Sequence, residues 1–158
     1  MSKKTMIEKA CAVNDILHER ILSADDIPVF KDFVKVFRFN AFCDIESENQ
    51  LINYINICNA NPSVQFAMWF KNIRKVESVF SEYEKPSNLV AIYSSPYMND
   101  NGDEFLNKSK VGKYVDKVFT VYDDETIKSD NITINCGGKK CYQCGHKCYF
   151  ANNGHEIV

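Results

Sequence analysis

The stretch "SVQFAMWFK", residues 63–71, constrains the fold more than any other part of this sequence. It is β-rich and nearly all apolar, which predicts a strand covered on both faces. Such a strand needs helices around it, and its neighbours read as helices. From about Glu48 to Asn59, the residues Leu51, Tyr54, Ile55 and Cys58 form one stripe at helical spacing. Ser47 stands ready to cap that helix, Glu48 lies in its first turn, and Asn61 and Pro62 end it. Beyond the strand, Ile73, Val76, Val79, Phe80 and Tyr83 fall in helical phase until "KPSN" breaks the pattern.

The alternation extends in both directions. "VKVFRFN", residues 34–40, reads as a first strand on β-branched and aromatic content, with Val34, Val36, Arg38 and Asn40 on one face and Lys35, Phe37 and Phe39 on the other. "LVAIYSS", residues 89–95, is the third strand, and "KVFTVYD", residues 117–123, the fourth, after a polar loop over 97–110. A helical turn from Asp124 to Lys128 leads to "NITINC", residues 131–136, expected as the fifth. Ahead of them lie an amphipathic helix over 4–22 and a connector through Pro28. The order predicts an α/β fold: a small parallel sheet of about five strands with right-handed crossover helices. The 158 residues suit a single domain, divided as an N-terminal helix and connector (1–33), an α/β core (34–135), and a cysteine-rich loop and tail (136–158).

Composition narrows the function classes. Hydrophobic residues at 45% and charged residues at 25% describe a packed chain rather than a disordered one. A net charge of -2 argues against a surface that tracks nucleic acid or an anionic membrane throughout. No apolar run approaches the roughly 18–20 residues that cross a bilayer. Glu8, Asp15, Glu19 and Arg20 interrupt what would otherwise resemble a leader peptide. The expected compartment is the cytoplasm, where thiols stay reduced.

Four of the seven cysteines crowd into "CGGKKCYQCGHKC", residues 136–148. Their spacing is CxxxxCxxCxxxC, formed by Cys136, Cys141, Cys144 and Cys148. Free thiolates at that density repel one another, and a bound cation relieves the repulsion by taking all four. Zinc in a closed tetrahedral site is the first expectation. An iron–sulfur cluster is the second, because CxxxxCxxC opens the plant-type ferredoxin pattern and CxxCxxxC resembles the end of the bacterial one, although neither match is complete. Unliganded thiols or a redox disulfide remain open, and His146 offers an alternative ligand. Lys108, Lys110, Lys113, Lys117, Lys128, Lys139, Lys140 and Lys147 make the C-terminal third locally basic, which keeps a nucleic-acid surface in view.

In parallel α/β sheets the ligand crevice lies at the carboxyl ends of the strands. Reading off those ends gives Asn40, Cys43 and Asp44, then Trp69 and Lys71, Ser94 and Ser95, Tyr122 and Asp123, and finally Cys136. Cys11 and Cys58 lie in helical apolar stripes and are expected to be small buried hydrophobes. No phosphate-binding glycine loop, HExxH helix or GxSxG elbow is present, and no catalytic residue is assigned.

Taken together, "VFRFNAFCDIES", "NPSVQFAMWFKNIRKV" and "VFTVYD" leading to "NCGGKKCYQCGHKCY" resemble bacteriophage proteins of the gene product 88 family over about Val34 to Tyr149. The resemblance implies a partial α/β barrel with a cysteine-rich C-terminal segment and no firmly assigned activity. Relatives carry a further cysteine motif upstream, of the kind found in radical enzymes with an iron–sulfur cluster, which the first helix lacks. They carry Gly where this chain has Cys43. The expectation is a zinc-binding accessory protein in the bacterial host cytoplasm, and the resemblance alone adds that it binds a host protein or nucleoprotein complex, as small phage proteins that blunt host defence or redirect host machinery do. Alternatives are an iron–sulfur protein or remnant of a radical-type enzyme, and a nucleic-acid binder.

Overall fold

The computed structural model describes residues 3–41, 44–136, 147–151 and 156–158. Helix α1 (Lys3–Glu19) opens the chain and is followed by strand β1 (Val36–Arg38), helix α2 (Glu48–Ala60), strand β2 (Gln65–Phe70) and helix α3 (Ile73–Glu82). Then come β3 (Leu89–Ser94), α4 (Asp103–Lys108), β4 (Lys117–Phe119), α5 (Asp124–Ser129) and β5 (Glu156–Ile157), with short 3-10 turns at Ala24–Asp26, Gly112–Tyr114 and Lys147–Tyr149. The five strands form one sheet in the order β1-β2-β3-β4-β5, and every neighbouring pair is parallel. The expected α/β fold with a small parallel sheet is therefore present.

The strands beyond the central pair differ from expectation. β1 and β4 are three residues long, shorter than the runs at 34–40 and 117–123. The polar loop over 97–110 contains α4, entered at Gly102, whose φ of 74° places it in the left-handed region. The fifth strand is not "NITINC". Asn131 turns the backbone to a φ of 54°, and Thr133 and Ile134 are exposed. Instead Glu156–Ile157 from the tail pairs with β4, and residues 135 and 136 serve as its brace: the Asn135 and Cys136 backbone N–H groups donate to the Val158 carbonyl at 3.2 and 2.8 Å.

Register divides the side chains into two faces. Phe37, Phe66 and Leu89 stand in one row, and Phe70, Tyr93 and Val118 in another, on the face that carries the helices. There Leu51, Tyr54 and Cys58 of α2 and Val76, Val79 and Phe80 of α3 complete the main core. Phe39 stacks between Tyr54 and Phe66, with ring centroids 4.0 and 5.1 Å away. Full burial of each such side chain contributes roughly 1.5–3 kcal/mol.

Buried asparagines tie the connections to this core. Asn53 donates to the Leu17 and Arg20 carbonyls at 2.9 and 2.8 Å and so closes the end of α1. Asn61 donates to the Pro28 and Ile57 carbonyls, and Asn88 lies 3.0–3.1 Å from the Cys58, Asn61 and Val64 carbonyls. Helix starts follow the sequence: Ser47 accepts from the Gln50 N–H, Asn72 from that of Lys75, and Asp123 from that of Thr126.

Candidate functional site

The opposite face of the sheet has a different character. Its rows are Arg38, Ala67 and Val90, then Trp69, Ile92 and Lys117, then Ser94, Phe119 and Ile157. Among the described residues its cover is the turn Lys147–Tyr149 of the cysteine-rich segment, with Tyr149 and Cys148 packed against Ala67, Val90, Ile92, Trp69 and Phe119. Lys117 is fully buried here, with its Nζ 3.5 Å from the Ala151 carbonyl oxygen. Burial pushes its pKa down, opposed by the nearby charges of Cys148 and Asp116.

At the carboxyl ends of the strands this face opens into a crevice of about 500 Å³. Asn40, Asp44, Trp69, Lys71, Ser94 and Cys136 line it together, so six strand-end residues from four segments converge as the topology requires. Ser95 and Tyr122 lie outside the lining. The Ser95 hydroxyl bonds the Tyr97 carbonyl, and the Tyr122 hydroxyl donates to Glu156 Oε1 at 2.8 Å. Burial, then the Glu156 carboxylate, push the Tyr122 phenol up to about 12. Cys43 lies outside the described residues.

Four further lining residues are not among the strand-end candidates: Arg38, Ala41, Phe70 and Phe119. The Arg38 guanidinium carbon sits 3.8 Å from the Trp69 ring centroid, a cation–π contact across β1 and β2. The strand alternation that set Arg38 beside Asn40 was the available signal, but the Trp69 contact depends on strand register. Asn40 is 7% exposed and adopts a φ of 38°, bending the chain out of β1. Its side-chain amide donates to the Trp69 carbonyl at 2.5 Å, and the Asp44 carboxylate accepts from the Lys71 backbone N–H at 3.0 Å.

Of the cysteine cluster, Cys136 is exposed at the crevice and Cys148 is half-buried on the same face; Cys141, Cys144 and His146 lie outside the described residues. Among the described residues, no three His, Cys, Asp or Glu side chains gather as a metal site, and no helix is long and apolar enough to cross a membrane. Cys58 is buried in the main core, which pushes its thiol pKa up, and Cys11 is half-buried. Of the lysines, Lys117 faces inward, Lys108 pairs with Glu104, and Lys113 lies over the Tyr114 ring.

A family model described as gene product 88 matches residues 11–155. No curated protein and no solved structure matches the chain.

Proposed function

We propose that this chain, which belongs to the gene product 88 family of phage proteins, is a zinc-binding accessory protein that acts by binding a host macromolecule. The observation that carries the metal reading is the convergence of Cys136 and Cys148 on one sheet face, beside Trp69 and Phe119. These two thiols bracket the segment that holds Cys141 and Cys144, so the donor set suits a closed four-thiolate site. In this reading the metal supplies structure, fixing the segment over a sheet face whose cover among the described residues is the turn Lys147–Tyr149.

The partner reading is supported by the rim around α1 and β1. Val13, Ile16, Ile21, Val29 and Phe33 are all exposed there, and β1 is an edge strand. Grouped apolar exposure marks interaction surfaces, and Val13 and Ile16 line one cavity with Phe37 and Arg38 of β1. An inhibitor of host defence would use such a rim to dock.

Metal analysis combined with native mass spectrometry tests the first half. The expected result is one zinc per chain, and its removal by chelation lowers the melting temperature by several degrees. A protein that folds with equal stability and no metal would overturn it. An iron–sulfur cluster is the second reading, favoured by Cys136 standing directly at the strand-end crevice. A brown anaerobic preparation with visible absorption would select it over zinc. For the second half, affinity purification from the bacterial host retains a partner, and Phe33→Glu loses it; retention by the variant removes the rim from the reading.

A further inference from the structure

Two residues that line the crevice carry a buried polar atom without a hydrogen bond among the described residues: Arg38 at Nε and Asn40 at Oδ1. Neither side chain is loose. Arg38 is stacked on Trp69, and Asn40 is anchored through its Nδ2 to the Trp69 carbonyl. That anchor identifies the amide atoms, because a flipped amide would set Oδ1 against a carbonyl oxygen. The unpaired atom of Asn40 is therefore the acceptor, and the unpaired atom of Arg38 is a donor. Buried polar groups are satisfied as a rule, so a fixed donor and a fixed acceptor on residues of one crevice specify what a ligand would have to offer.

We infer that the crevice binds an oxoanion that carries its own O–H group at neutral pH, inorganic phosphate. Arg38 and Lys71 bring two positive charges to the lining against the single carboxylate of Asp44, so the site favours an anion. The guanidinium edge at Nε suits side-on donation to two anion oxygens. Asn40 Oδ1 accepts a hydrogen bond from the ligand and so selects against an anion with no proton to offer. At neutral pH phosphate retains an O–H and sulfate does not, although their size and shape are alike. This inference stands apart from the metal reading, since it uses no cysteine.

Trp69 is the chain's single tryptophan, so intrinsic fluorescence reports on the crevice directly. Titration with inorganic phosphate and with sulfate is expected to show phosphate bound about tenfold more tightly, the value of one hydrogen bond. Arg38→Lys weakens both anions. Asn40→Gly keeps the positive φ without strain, removes the acceptor, and brings the phosphate-to-sulfate ratio near one. Circular dichroism checks that each variant is folded, and the comparison of the two anions on the unaltered protein stands without them. Equal affinity for the two anions, or no response to either at millimolar concentrations, overturns the inference. Glycolate binding more tightly than phosphate overturns the phosphate assignment in favour of a hydroxy-carboxylate. A phosphate response abolished by chelation places the anion on a metal and overturns the crevice.

Discussion

The two faces of the sheet obey different rules. On the helix face, Phe39, Phe66, Met68, Phe70, Leu89, Ala91 and Val118 meet α2 and α3, and the polar groups that enter are mainly asparagines spent on backbone carbonyls. On the other face, Arg38, Lys117 and Ser94 alternate with Ala67, Ile92 and Phe119, under a cover drawn from the cysteine-rich segment. The first arrangement can be filled by packing alone. The second leaves polar atoms in wait and puts chemistry-bearing side chains together. The alternation of one set of strands thus keeps the main core and the strand-end crevice on opposite sides.

That division can be broken by substitution. The largest effect is expected on the helix face, where Phe66 is 0% exposed and stacks on Phe39. Phe66→Ala should cost about 3–5 kcal/mol in urea unfolding. A loss below about 1 kcal/mol would mean the core is not where the packing places it. Next comes Asn88→Ala, which strips the amide from three buried carbonyls and should cost about 2 kcal/mol in the same assay. Stability unchanged within a few tenths would show that water replaces the clamp.

The smallest effect concerns the junction of the two faces, where Tyr122 holds Glu156 of β5. Tyr122→Phe should cost about 1 kcal/mol near neutral pH. Because the phenol is raised from 10.0 to about 12 in the fold, the unfolded chain ionises first. The stability linked to this group is whole below pH 10 and drains away between about pH 10 and 12. An alkaline unfolding series should therefore fall more steeply for the unaltered protein than for Tyr122→Phe, and parallel curves would count against the coupling.

How far the sequence spoke for itself also differs between the faces. β2, β3, α2 and α3 were legible because their residues are locally consistent: apolar runs with strand composition, helical phase, and Ser47 at a cap. The crevice was legible as far as strand ends go, which brought Asn40, Asp44, Trp69, Lys71, Ser94 and Cys136 together. Arg38 was not, because its meaning comes from a tryptophan 31 positions later through the β1–β2 register. β5 was not, because two residues carry no periodicity, while "NITINC" offered β-branched residues to a position where the backbone turns away. Length and local pattern report on strands that make their own burial; β5 borrows its place from β4 and from the brace at Asn135.

That brace has a kinetic side. Asn135 bonds the Glu156 carbonyl through Nδ2 at 3.0 Å and accepts from the Val158 N–H at 3.2 Å, and two backbone bonds run from Asn135 and Cys136 to Val158. Residues 135–136 and 156–158 are consequently joined by a few partly exposed bonds. Groups held this way exchange through small local openings rather than through global unfolding. One such opening would release β5 from the Asn135 brace while the core on the helix face stays shut.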